Sequence, residues 1–125
     1  MPGRFAEVID SPAGVPMVRI GHQRLDAASA WELRQSLLRA IYSSGPRVWV
    51  DLAGVRYIDS AGLGVLIAAQ AEARRRQGEI ELVNPGRDVL RVLRQSGLDT
   101  LFRIREISVA TPPATGTAAS HSLAA

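Results

Sequence analysis

Tyr57-Ile58-Asp59-Ser60-Ala61-Gly62-Leu63-Gly64-Val65-Leu66-Ile67 sets two strand-favouring residues before two short polar ones and a glycine-punctuated apolar run. Tyr and Ile suit an extended backbone, whereas Asp and Ser favour the start of a helix, where their side chains satisfy unpaired backbone N–H groups. The stretch reads as a strand running into a helix, with Ser60 at the junction. A hydroxyl there can cap the helix, or carry a phosphate whose charge the positive end of the helix dipole tolerates. Two glycines so early in a helix each cost about 1 kcal/mol against Ala. Lacking side chains, they let another backbone or a partner protein come close.

The neighbouring segments extend this reading in both directions. Arg47-Val48-Trp49-Val50-Asp51-Leu52 is largely apolar on both sides, as a central strand is, and Ala53-Gly54-Val55-Arg56 leads from it to the junction. Beyond the junction, Leu63, Leu66, Ile67, Gln70 and Ala71 mark one helical face until Arg74-Arg75-Arg76-Gln77 turns polar and Gly78 ends the helix. Glu79-Ile80-Glu81-Leu82-Val83 is the next strand. A third helix is predicted over 87–96, with Val89, Leu90, Val92 and Leu93 inward and Gly97 suited to a left-handed cap. Arg103-Ile104-Arg105-Glu106-Ile107 then alternates as an edge strand does.

Towards the N-terminus, 5–10 and 16–21 read as a hairpin about Ser11-Pro12-Ala13-Gly14. Ser29-Ala30-Trp31-Glu32 has capping-box spacing ahead of Leu33, Leu37, Leu38 and Ile41, and Ser43-Ser44-Gly45-Pro46 stops that helix. The order β-β-α-β-α-β-α-β predicts an α/β fold, a single domain with a mixed sheet and helices packed mainly on one face. The domain is expected over 1–109. From 110 to 125 the chain is rich in Ala, Thr, Ser and Pro, and a disordered tail is expected.

Composition narrows the chemistry. The 125 residues suit one domain, and the absence of Cys removes disulfides, thiolate catalysis and Cys-based metal sites. All 15 basic residues are Arg, set among 12 acidic ones for a net charge of +3, a balance that gives nucleic acid no strong claim. Met1-Pro2-Gly3-Arg4-Phe5-Ala6-Glu7 lacks the apolar run of a signal peptide, and no stretch approaches the roughly 18 apolar residues of a membrane span. A soluble, cytoplasmic protein without membrane insertion is expected. Arg87, Arg91 and Arg94 share a helical face and, with Arg74 to Arg76, read as a solvated surface, while Trp31 and Trp49 read as packing residues.

Two catalytic or cofactor-binding patterns fail at named positions. A serine hydrolase needs a base near Ser60, yet the histidines are His22 and His121, and Ile58 stands where a G-x-S-x-G elbow has its first Gly. Gly62-Leu63-Gly64-Val65-Leu66-Ile67 begins like a dinucleotide fingerprint but puts Ile at the third small position. The chain is expected to be no enzyme and to use no cofactor or metal.

Residues 8–107 resemble a STAS domain of the anti-sigma factor antagonist, or anti-anti-sigma factor, type. The resemblance lies in Asp59-Ser60-Ala61-Gly62-Leu63-Gly64-Val65 after a strand, with Val50-Asp51-Leu52 before it. Gly78-Glu79-Ile80-Glu81-Leu82-Val83, Val89-Leu90-Arg91-Val92-Leu93 and Ser96-Gly97-Leu98 follow in the family's order. The resemblance implies that Ser60 is phosphorylated by a partner anti-sigma factor, itself a serine kinase with a histidine-kinase-like ATPase fold. The unphosphorylated form then binds that factor and frees a sigma factor for transcription, and a phosphatase acting on phospho-Ser60 is a further implied partner.

By the same resemblance, partner contact falls to Asp59, Ser60, Ala61, Gly62, Leu63 and Gly64 and to the loop after the second strand, typically Gly-Glu-Leu-Asp. Here that loop reads Gly21-His22-Gln23-Arg24-Leu25-Asp26, with two extra residues, Asp26 in the role of the family Asp, and Arg24 where an acid is usual. Ala61 replaces the hydroxyl residue common after the phosphorylated Ser. The competing reading is a STAS scaffold subunit of a lipid-transport or transporter-associated complex, with Ser60 only a helix cap. The edge strand near Arg103 leaves a monomer or a weak dimer open.

Overall fold

In chain order, the elements are β1 (Ala6–Asp10), β2 (Pro16–Ile20), β3 (Arg24–Leu25), α1 (Ala30–Ser44), β4 (Arg47–Asp51), β5 (Tyr57–Ile58) and α2 (Ser60–Arg75), followed by β6 (Glu79–Val83), α3 (Arg87–Gln95), a 3-10 turn (Leu98–Thr100) and β7 (Arg103–Arg105). They belong to a computed structural model that describes residues 4–107. The main sheet has the order β1-β2-β4-β6-β7, antiparallel at β1–β2 and parallel elsewhere. Each successive crossover adds its strand beyond the last one. Right-handed crossovers that advance in one direction bring α1, α2 and α3 to the same face.

Strand alternation divides the core. Val18, Ile20, Val48, Val50, Ile80 and Leu82 pack beneath Leu33, Leu37 and Ile41 of α1, Leu66, Ala69 and Ala73 of α2, and Val89 and Leu93 of α3. The opposite face holds a second cluster of Met17, Trp49 and Val83, with Ile9, Val15 and Ile107 against it. Ion pairs flank that cluster. Asp51 pairs with Arg19 at 3.4 Å, and buried Glu81 lies between Arg47 at 3.6 Å and Arg105, which satisfies charges that burial would otherwise penalise. Buried Gln70 ties the helix layer to the sheet: its side-chain oxygen accepts from Ile80 N–H at 2.7 Å and its amide donates to Leu101 O at 3.1 Å.

The expected α/β architecture stands, with local departures. α2 buries Leu63, Leu66, Ala69, Gln70 and Ala73, so the inner stripe includes two small residues and turns Ile67 and Ala71 outward. α2 ends at Arg75, and the left-handed residue that follows is Gln77 (φ 66°), one position before the Gly78 expected there. Gly97 does adopt the left-handed conformation after α3 (φ 75°), and α3 buries Val89 and Leu93 with Leu90 and Val92 half-buried. Trp49 is buried, whereas Trp31 is 66% exposed on the first turn of α1.

Two further differences concern the start of α1 and the junction. Ser29 does not form a capping box: its backbone is already helical (φ −105°, ψ −1°), and its buried hydroxyl instead donates to Arg24 O at 2.8 Å and accepts from Asp26 N at 3.0 Å. The two-residue strands β3 and β5 pair in parallel as a separate small sheet, an addition to the predicted order. The expected tail over 110–125 lies outside the described residues.

Candidate functional site

Three pieces of chain meet at Ser60. β5 delivers Tyr57 and Ile58, α2 begins at Ser60, and β3 runs alongside with Arg24 opposite Tyr57 and Leu25 opposite Ile58. Leu25 and Ile58 are buried, which fixes the ladder's inner side and leaves Arg24 and Tyr57 outward. Asp59 N then donates to Leu25 O at 3.1 Å, carrying the pairing to the residue before Ser60.

The cap of α2 is Asp59. Its Oδ1 accepts from Ala61 N at 2.9 Å and from Gly62 N at 3.2 Å, and its extended backbone (φ −115°, ψ −172°) is the conformation an N-cap requires. Ser60 is the first helical residue, exposed, and among the described residues its hydroxyl makes no hydrogen bond. In the competing reading Ser60 caps the helix; in the structure the capping position belongs to Asp59, whose Oδ1 takes both N–H groups.

The remaining motif residues divide by direction. Gly62 and Leu63 face inward, Ala61 is half-buried and Gly64 is exposed. At Gly62 an added Cβ would stand 2.5 Å from Leu25 O, so the close approach that this glycine permits is by the chain's own β3. Gly64 has nothing within 4 Å of that position. Gly62 and Leu63 thus support the site from beneath instead of forming its outer surface. The outer surface beyond Ser60 runs through Gly64, Ile67, Ala68 and Ala71, all exposed.

On the other side stands the loop acid. Asp26 is half-buried; the hydrogen bond from Arg24 Nε, at 3.1 Å, and one from the backbone N–H of Ser29, at 3.2 Å, hold its carboxyl below the ordinary value. Arg24 also lies over the Tyr57 ring, 4.1 Å from its centroid. His22 rests near Phe5, ring centroids 5.3 Å apart, and His121 lies outside the described residues. The sequence pattern puts Asp26 in the site, gives Ser29 only a capping role at α1 and gives Tyr57 no site role. Strands of two residues carry no period from which the pairing of Arg24-Leu25 with Tyr57-Ile58 could be read. Among the described residues, no group of three or more His, Asp or Glu is arranged to hold a metal, and no helix is long and apolar enough to cross a membrane.

Ser60 thus presents a hydroxyl on an exposed first helical turn, braced by a carboxylate cap and a parallel two-residue strand pair. The sequence profile of the family described as "Mlab, STAS domain" matches residues 11–106. An anti-sigma-B factor antagonist from Listeria monocytogenes is 30% identical over 83 residues, covering 66% of this chain and 73% of the relative. The chain belongs to the STAS domain family of anti-sigma factor antagonists. Among solved antagonist structures, one from Mycobacterium paratuberculosis superposes with a TM-score of 0.69 at 25% identity, covering 93% of this chain and 91% of that one. The Bacillus cell fate determinant SpoIIAA in its phosphorylated form shares the STAS fold, with a TM-score of 0.60 at 18% identity over 94% of this chain and 98% of its own.

Proposed function

We propose that this STAS domain is a phosphorylation-controlled binding switch. With Ser60 unmodified it binds an anti-sigma factor that is itself a serine kinase of histidine-kinase-like ATPase fold, and so frees a sigma factor for transcription in the cytoplasm. The kinase transfers the γ-phosphoryl group of ATP to Ser60 Oγ, with loss of the hydroxyl proton and release of ADP, and a phosphatase restores the hydroxyl. The chain contributes a substrate residue and a surface.

The observation that carries the reading is the exposed Ser60 hydroxyl, relieved of capping by Asp59 and followed by the open surface at Gly64. Phosphorylation adds about −1.5 to −2 charges at that surface. The helix N-terminus tolerates this charge, but an interface closed against a bare hydroxyl does not. In the rival reading, a scaffold for a lipid-transport or transporter-associated complex, Ser60 served as the cap; with that duty held by Asp59, the scaffold reading leaves the hydroxyl without a role.

Incubation with the cognate kinase and ATP, followed by intact-mass measurement, tests the proposal: one phosphate on the parent and none on Ser60→Ala is expected. No phosphate on the parent, or equal phosphate on Ser60→Ala, refutes it. Ser60→Asp should lower partner affinity by about 2 kcal/mol or more, the scale of an unpaired charge left in an interface. Indistinguishable titration curves for the two proteins would refute that step.

A further inference from the structure

On the strand pair that leads into Ser60 stands a guanidinium held by one edge. Arg24 is tied to Asp26 through Nε and stacked on Tyr57, and among the described residues Nη1 and Nη2 make no hydrogen bond. The strand register brings this group to the junction. Arg24 pairs with Tyr57 and Leu25 with Ile58, so the next residues along the two strands are Asp26 and Asp59, and Ser60 follows at once.

We propose that Arg24 reads the phosphate on Ser60 within the same chain, its free Nη edge taking phosphoryl oxygens while Nε keeps Asp26. The proposal rests on the reading of Ser60 as the modified residue. Three observations carry it. The guanidinium plane is fixed in advance, by the Tyr57 face at 4.1 Å and the Asp26 carboxylate at 3.1 Å, so little side-chain entropy is left to lose when a second anion arrives. A guanidinium engaged at Nε still presents parallel N–H donors from its two terminal nitrogens, the fork that matches two phosphate oxygens. Charge makes such a donor necessary: the phosphate would stand beside Asp59 and the ionised Asp26, whose carboxyl the same Arg24 already holds below its ordinary value.

The other groups facing this loop do not supply that charge. Asp59 is engaged by Ala61 N and Gly62 N, and Arg56 meets the loop through its backbone N–H on Gln23 O at 2.8 Å, with no side-chain hydrogen bond or ion pair into it among the described residues. Arg24 is the guanidinium already bonded into the site. It would keep the modified hydroxyl ordered against the domain instead of projecting toward a partner.

The test installs phosphoserine at position 60 during translation, so that no kinase is needed, and follows its second ionisation by phosphorus NMR across pH. Relative to the parent phosphoprotein, Arg24→Gln should raise that pKa by about one unit, the smaller end of the effect of an opposite charge at contact distance, and Arg24→Lys should fall between the two. Thermal melts of each variant check that the fold is kept. Coincident titrations of the parent and Arg24→Gln overturn the proposal. If Arg24 instead served a carboxylate on the partner, Arg24→Gln would weaken capture of the unmodified chain and leave the phosphate titration unmoved, which also overturns it. Failure of a kinase to modify Ser60 refutes the switch but not this contact, because the titration requires no kinase.

Discussion

Gly62 and Gly64 lie two residues apart in α2, yet the same added methyl group should act on them with opposite sign. A Cβ on Gly62 would stand 2.5 Å from Leu25 O, 3.0 Å from Leu25 C and 3.0 Å from Ile58 Cγ1. Two of these atoms are backbone, so no rotamer change relieves the contact; β3 and α2 must move apart. Overpacking of this kind costs about 1–3 kcal/mol, and the helix propensity of Ala over Gly offsets at most about 1 kcal/mol of it. With the contact as short as 2.5 Å the cost falls at the upper end of that range, and Gly62→Ala is expected to destabilise the domain by about 2 kcal/mol. At Gly64 no atom lies within 4 Å of the added carbon. Only propensity and the lowered entropy of the unfolded chain remain there, and Gly64→Ala should stabilise by up to about 1 kcal/mol. Urea unfolding followed by far-UV circular dichroism reads both, and in a domain of this size each kcal/mol also moves Tm by about 4–8 °C. A Gly62→Ala protein as stable as the parent refutes the closure by Leu25. A destabilised Gly64→Ala refutes the openness of the outer side.

Asp59 and Ser60 should separate in the same assay. Asp59→Ala loses both capping bonds and is expected to cost about 1 kcal/mol, whereas Ser60→Ala should stay within about 0.5 kcal/mol of the parent; equal losses would contradict the assignment of the cap. Gln70→Leu keeps the side chain's bulk but leaves the buried Ile80 N–H without its acceptor, for an expected loss of about 1–3 kcal/mol, and unchanged urea midpoints would refute that role. Asp26 gives a pH dependence whose sign follows from its lowered pKa: the contribution is present above the unfolded-state carboxylate value and is lost as pH falls through the lower folded-state value. Asp26→Asn should accordingly flatten the acid limb of the stability profile, and parallel limbs for the two proteins would count against the Arg24 and Ser29 contacts.

Periodicity made the main elements legible, because Val48 to Val50, Ile80 to Leu82 and Leu33 to Ile41 each bury an apolar pattern long enough to declare its period. β3 and β5 were not legible as a pair. Two residues carry no period, and what pairs them is the burial of Leu25 and Ile58 with a carbonyl that reaches the first turn of α2, a contact 37 residues apart in sequence between Leu25 and Gly62. The inner face of α2 was misread for a related reason. Hydrophobicity alone favours Ile67 over Ala69 and Ala73, but the small residues are the ones buried in the helix's inner face. Capping chemistry misled at Ser29, where Glu32 three residues on completes the pattern. The hydroxyl goes instead to Arg24 O and Asp26 N, with the backbone of Ser29 itself already in the helical region.

Those same departures account for the form of the site. Ser29 braces the loop that ends in Asp26, and its buried hydroxyl does so from the N-cap of α1, so the position of Asp26 is set by the start of a helix other than the one bearing Ser60. The bond from Asp59 N to Leu25 O then joins that loop to the junction, and Gly62 permits the approach. Asp59 is consumed in holding α2, and this is what leaves Ser60 chemically idle in the folded domain. A hydroxyl that also capped the helix could be modified only by giving up a backbone bond, so each phosphorylation would carry a cost of about 1 kcal/mol in helix stability. With capping assigned to the neighbouring carboxylate, modification of Ser60 leaves the α2 cap intact, and the added charge is left to Arg24 beside the junction and to whatever is bound at that surface.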